Sequence, residues 1–365
     1  MKEASASAEL RTPGSGPHRS GRALVARLRR PPGHLELARL PTPVERAPWL
    51  DGHGGEGWIK RDDLSSPIYG GGKVRKLEWI LANAPHDGDA PIVSVGGVGS
   101  HHLLALALFL RDRERLLHAL TFDQELTVHA RTNLAVLVST GAKLWRVRSR
   151  SRLPAAWLAY HGWQRPPRRG HWLEAGASTP LGCFGFVEAG LELAAQIDAG
   201  VCPRPKTIYL AAGSAGTAAG LALGLAIAGV STHLRLVSSV EPLVFNAVLY
   251  RRKLAQALDA LRGAGLACGR TVDSVLARGA VTFEIDHGQV GYGYGVPTPA
   301  ARHAIERAAE HGIELEPTYT AKCVAAVASA RRPAGPFLFW HTHAGNDLRP
   351  YIVEGWEELV PPRIV

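Results

Sequence analysis

Five short segments hold residue types that can do covalent or acid–base chemistry, and each lies in a turn rich in glycine or proline. Lys73 ends the run YGGGK. A lysine amine adds to a carbonyl carbon only when part of it is neutral, and burial or nearby cations bring that about. Arg75 and Lys76 follow closely, and a helix N-terminus adds partial positive charge. Taken singly, such a lysine is most often an ordinary surface residue at a helix start. The segment GSAGT, Gly213 to Thr217, is built of small residues that let backbone N–H groups close on an anion, with hydroxyls from Ser214 and Thr217 beside them. It lacks the Gly-Lys-Ser/Thr ending of a Walker loop and the spacing of a dinucleotide fingerprint. A close-packed strand–helix turn accounts for the loop alone equally well. In GGVGSHH, Gly96 to His102, Ser100 falls at a helix-cap position, so its hydroxyl either caps the helix or faces a cleft. Tyr294 in GYGYGVPT and Tyr319 in EPTYTAK are either packing residues with wet hydroxyls or proton carriers beside a ring.

These segments need elements to hold them in place. After YGGGK, the apolar residues Val74, Leu77, Ile80, Leu81 and Ala84 recur at helical spacing, so Lys73 sits where a glycine turn opens a helix. PIVSVGG is a β-branched run of the kind buried in a parallel sheet, and GSHHLLALALFLRDRERLL continues it as a helix. HALTFD, AKLWRV, TIYLAA, LRLVSSV and FLFWH are further predicted strands. HARTNLAVLVSTG, LGCFGFVEAGLELAAQI, AAGLALGLAIAG and ARHAIERAAEHG are predicted helices, the last stopped by Gly312. Alternation of β and α predicts an α/β fold with open, mostly parallel twisted sheets and helices on both faces. Ligands in such folds bind where strand-to-helix turns gather at the carboxyl ends of the strands.

Composition narrows the function. With 365 residues and 46% hydrophobic content, the chain can form one large unit or two lobes sharing a cleft. The net charge of +10 collects in two Arg-rich stretches, from Arg11 to Arg30 and from Arg146 to Arg169. Both are read as solvated surface, and no nucleic-acid-binding pattern accompanies them. The four cysteines, Cys183, Cys202, Cys268 and Cys323, are too scattered for a zinc or disulfide framework, and they suit a reducing cytoplasm. No metal site and no membrane span are expected. Residues 1–34 are expected to be a disordered basic tail. Residues 35–365 are expected to form the catalytic unit of two α/β lobes, the smaller at about 85–190 and the larger from the flanking segments.

Taken together and in order, KRDDLSSPIYGGGKVRKLEWIL, GGVGSHH, EAGASTPLGCFGFVEAGLEL, GSAGTAAGL, YGVPT, PTYTAK and FWHTHAG resemble the pyridoxal phosphate (PLP)-dependent D-cysteine desulfhydrase and 1-aminocyclopropane-1-carboxylate (ACC) deaminase family. The likeness spans residues 35–350 and implies the tryptophan synthase β-like fold, fold type II. It implies that Lys73 carries PLP as a Schiff base and that Ser100, Tyr294 and Tyr319 are catalytic. It places the cofactor phosphate on Gly213, Ser214, Ala215, Gly216 and Thr217, with His101, Thr320 and Thr342 also at the cofactor. It further implies a homodimer.

Two features bear on the reaction. ACC deaminases carry Glu at the position of Thr320, beside the pyridine nitrogen. A hydroxyl there leaves the ring largely neutral, which suits loss of a good leaving group from Cβ better than opening of a cyclopropane. The expected activity is therefore α,β-elimination from a small amino acid, such as D-cysteine, giving pyruvate, ammonia and sulfide. ACC deamination, racemisation and a non-catalytic PLP-binding role are the alternatives. The sequence also departs from the family at Gly72 (Asn in the family), His101 (Asn), GAST at 176–179 (GGSN) and HTHAG at 341–345 (HTGG).

Overall fold

The computed structural model describes residues 22–51, 55–85, 90–163, 170–329 and 335–364. In chain order the elements are β1 (Val44–Arg46), β2 (Gly57–Arg61), α1 (Gly72–Ala82), β3 (Ile92–Gly97), α2 (His101–Arg111), β4 (Leu117–Phe122), α3 (Val128–Ser139) and β5 (Lys143–Val147). They continue as α4 (Leu153–Trp163), β6 (His171–Leu173), α5 (Phe184–Asp198), β7 (Thr207–Ala212), α6 (Gly216–Ala228) and β8 (Thr232–Ser238). The last are α7 (Ala247–Gly263), α8 (Val272–Gly279), β9 (Val281–Asp286), α9 (Pro299–Ala309), α10 (Thr320–Ser329) and β10 (Phe337–His341).

The strands form two sheets, one of six strands ordered β1-β2-β10-β7-β8-β9 and one of four ordered β5-β4-β3-β6. Among the described residues, only the β1–β2 pair is antiparallel. The smaller sheet draws all its strands from residues 92–173. Central strands such as β4 and β10 are buried along their whole length, as expected of strands covered on both faces. The sequence reading passes over β6, β9, α4, α7, α8 and α10.

Two local devices fix the site. The first is the packing of α6 against α5. Helix α6 is apolar and buried all round from Ala218 to Ala226. Its glycines let the helices nearly touch: a Cβ at Gly220 would lie 2.3 Å from Cys183 O, and one at Gly224 would lie 2.3 Å from Val187 O. The second is a buried ionic network at the root of α1. Arg75, fully buried, donates to both Asp62 carboxylate oxygens and to Glu192. Lys60 pairs with the same Glu192, and Trp340 Nε1 donates to Asp62 Oδ2 at 2.8 Å. This ties α1 to β2, α5 and β10. Burial would push the Glu192 carboxyl up, but Arg75 and Lys60 outweigh it and hold the group at about 2.

Residues 1–21 lie outside the described residues, but residues 22–34, expected as part of a disordered tail, do not run free. Leu24 is fully buried in the core around α5 and α6. The N–H groups of Ala23 and Leu24 donate to the buried Glu188 carboxylate. Arg22 pairs with Glu78 on α1. The apolar Leu24 and Leu28 hold this stretch, and Arg-rich composition concealed them.

Candidate active site

The two sheets face one cavity of about 490 Å³. Lys73 enters it from the first turn of α1. The glycines ahead of it are there by necessity. Gly71 has φ +80°, which side chains rarely adopt, and a Cβ on Gly70 would lie 2.0 Å from Asp63 O. Gly72 packs under Phe186, whose Cζ would be 2.9 Å from any Cβ, so the Asn seen in the family does not fit without displacing that ring. Burial lowers the Lys73 amine to about 8, with the Glu316 carboxylate pulling the other way.

Opposite lies the 213–217 turn. Ala215 is left-handed at φ +65° and caps α6, so the turn's N–H groups converge at the positive end of that buried helix. Ser214 Oγ meets Ser178 Oγ at 2.7 Å, and Lys76 Nζ reaches Ser178 Oγ at 3.3 Å and Gly176 O at 3.2 Å. Gly213, Ser214, Ala215 and Thr217 line the cavity. Gly216 turns its Cα toward Ser178, where a Cβ would lie 2.6 Å from Oγ.

The remaining predicted residues also line the cavity. Ser100 does both things its position allowed: its hydroxyl caps α2 by accepting from Leu103 N at 3.4 Å, and it sits in the cavity wall. The His101 ring follows it. Its Nδ1 meets Tyr69 Oη at 2.7 Å and Asn133 Nδ2 at 3.4 Å. Burial raises the Tyr69 phenol, so it keeps its proton and donates. With two donors on Nδ1, the ring proton is assigned to Nε2. Burial also lowers His101 to about 3, so the ring is neutral. Tyr294 and Tyr319 stand edge to face, with Oη atoms 3.5 Å apart. Burial raises both phenols, so both hold their protons at neutral pH. Thr320 opens α10, its hydroxyl accepting from Glu316 N at 3.0 Å. Thr342 follows β10, and its carbonyl accepts from Gly72 N at 3.1 Å.

Three cavity residues escaped the sequence reading. Glu316 is buried and accepts from the N–H groups of Thr318, Tyr319 and Thr320 at 2.6–2.8 Å, capping α10 beside Lys73. The signal was present, a carboxylate three residues before Tyr319 at a helix start. Tyr69 is the first residue of YGGGK and was open to notice. Arg150 places its guanidinium over the rings of Phe122 and Tyr294, at 5.6 and 5.9 Å. It belongs to the Arg146–Arg169 run read as solvated surface, and composition gave no way to tell it from its neighbours. Residues 164–169 of that run lie outside the described residues.

Residues 35–342 match the profile of the family described as pyridoxal-phosphate dependent enzyme. The chain belongs to that family. It is 30% identical over 331 residues to a D-cysteine desulfhydrase of Salmonella paratyphi A, covering 87% of this chain and 95% of the relative. It is 31% identical over 299 residues to the nocardicin C-9' epimerase of Nocardia uniformis, covering 78% and 85%. A solved ACC deaminase homologue superposes with a TM-score of 0.70 at 23% identity, covering 93% of this chain and 98% of that one. The shared architecture is the two-sheet α/β fold of that homologue.

The residues present fit the cofactor. A buried lysine with a lowered pKa and an anion nest at a helix N-terminus open onto one cavity, and Lys253 also lines that cavity. An aldehyde bearing a phosphate is what that donor set accommodates.

Proposed function

We propose that this protein is a PLP-dependent lyase that removes a β-substituent from a small amino acid, with D-cysteine the first substrate to test. The observation that carries the reading is the joining of Lys73, the 213–217 turn and the Tyr294–Tyr319 pair in one cavity. The cofactor, once bound, withdraws electrons from the substrate's Cα and so makes its proton acidic.

Lys73 is the general base: its amine, lowered by burial, takes the Cα proton. Gly213, Ser214, Ala215, Gly216 and Thr217 would hold the phosphate with backbone N–H groups and two hydroxyls. His101, neutral with its proton on Nε2, would take the place of the family's Asn toward the ring oxygen. Thr320 would offer the ring nitrogen a neutral hydroxyl, which would disfavour ring protonation and so favour substrates with a good leaving group. Ser100 orients the substrate, and Thr342 packs the cofactor side of α1. Tyr294 and Tyr319, protonated, supply a proton to the departing sulfur. D-cysteine and water then give pyruvate, ammonia and hydrogen sulfide. The assay is keto-acid and sulfide release from D- and L-cysteine, D-serine and ACC. Absence of keto acid from all four would overturn elimination.

A second reading is favoured by the likeness to an epimerase. Lys73 would take the Cα proton from one face, and inversion would follow if a second acid supplied a proton to the opposite face. Chiral chromatography of the recovered amino acid separates the two, since inversion yields no keto acid.

No helix among the described residues is long and apolar enough to cross a membrane. The reading includes a homodimer in the cytoplasm. Exposed Leu243, Val248 and Leu249 beside the cavity mouth suit a second subunit, and free, scattered cysteines suit a reducing compartment. The mass of the protein in solution tests the first point.

A further inference from the structure

The sequence departs from its family at His343, and the structure shows what surrounds that residue. His343 is 5% exposed, and among the described residues neither of its ring nitrogens has a hydrogen-bond partner. Buried imidazole nitrogens are ordinarily paired. Glu314 Oε1 lies 3.7 Å from His343 Nε2 and 3.9 Å from His129 Nδ1. One donor atom from each of the three residues falls within a 4.8 Å set. Four-coordinate zinc with bonds of about 2.0–2.1 Å holds its ligands roughly 3.4 Å apart, so shifts of under about 1.5 Å complete the site.

We propose that His129, Glu314 and His343 bind a divalent transition-metal ion of the zinc type. Two imidazoles and one carboxylate select such an ion over magnesium or calcium, which prefer oxygen ligands. Glu314 is half-exposed, so water completes the coordination and the ion has a route in. The ligands stand 214 residues apart at their extremes, which is why no local spacing reveals them. His129 lies in the first turn of α3, against the four-stranded sheet. Glu314 precedes α10 and His343 follows β10, both on the six-stranded side. The ion therefore clamps the two sides of the cleft together. It also fixes His343, which lines the cavity and packs edge to face on His101 at 5.3 Å.

The test uses untagged holoenzyme, stripped with a chelator and titrated with Zn²⁺, and with Co²⁺ as a spectroscopic probe. The expected result is one ion per chain, a tetrahedral Co²⁺ absorption band, and a melting temperature raised by roughly 3–4 °C at a hundredfold excess over Kd. Glu314→Gln and His129→Asn change exposed or half-exposed side chains and leave the core intact. Each is expected to weaken Zn²⁺ binding at least tenfold, while His303→Ala, on the solvent face of α9, leaves it unchanged. Zn²⁺ bound equally by wild type and both variants overturns the proposal, because the ion is then held elsewhere. Less than a tenth of an ion per chain overturns it as well. Neither readout depends on which amino acid the enzyme uses.

Discussion

The lowered pKa of Lys73 makes a quantitative prediction about how the apoprotein takes up its cofactor. An ordinary lysine titrates at 10.5, and burial brings Lys73 to about 8. At pH 7 the neutral fraction of the amine is then about a tenth, against roughly 1 in 3,000 for an unperturbed lysine, an advantage of about 300-fold. Only the neutral amine adds to an aldehyde. The rate at which added PLP develops its visible band on the apoprotein is thus expected to rise about tenfold per pH unit below 7.5 and level off above about 8.5. The Glu316 carboxylate opposes the shift. Glu316→Gln removes that anion, so the inflection moves to lower pH. Stopped-flow absorbance across pH 6–10 reads both. An inflection at 10 or above in the wild type refutes the burial argument, and an upward move in Glu316→Gln refutes the part assigned to the carboxylate.

Other outcomes follow from the same geometry. Glu192→Gln leaves Arg75 and Lys60 short of their shared anion, and urea unfolding is expected to show a loss of about 3–5 kcal/mol. Because the folded Glu192 pKa of about 2 lies below its unfolded 4.5, that stabilisation is complete above pH 4.5 and is lost as pH falls toward 2. In the wild type, urea midpoints measured down this window are expected to fall more steeply than in the variant. Gly224→Val sets a Cβ near Val187 O and is expected to cost at least about 1–3 kcal/mol by forcing α5 and α6 apart. Thr217→Val removes one hydroxyl from the anion nest and is expected to raise the Kd for PLP about tenfold, with the apoprotein's melting temperature unchanged. Equilibrium titration of the visible band checks it.

Much of the site is legible in the sequence because its parts are local. A glycine run before a lysine, or small residues between a strand and an apolar helix, carries its geometry within ten residues. The turns at 70–73, 96–101 and 213–217 are of this kind. What sequence misses here is long-range pairing. Arg150 looks like any arginine in a basic run until the fold brings Tyr294 beneath it. Glu316 gains its meaning from burial against Lys73 and His101. The docking of residues 22–34 depends on Leu24 finding the α5–α6 core, which basic composition masks. Strand β9 lies at a sheet edge, where a mixed burial pattern weakens the apolar signal. Helix α7 is amphipathic with an Arg-rich face, and nothing nearby announces its chemistry.

The central claim is that Lys73, rather than Lys253 in the same cavity wall or the buried Lys76 one helical turn on, is the residue that carries the cofactor. Borohydride reduction of the PLP-loaded protein followed by peptide mass mapping tests it most directly. The account predicts one pyridoxyl group per chain, on the peptide containing Lys73, and none in Lys73→Ala. A label on Lys76 or Lys253, or equal labelling of the variant, would contradict it.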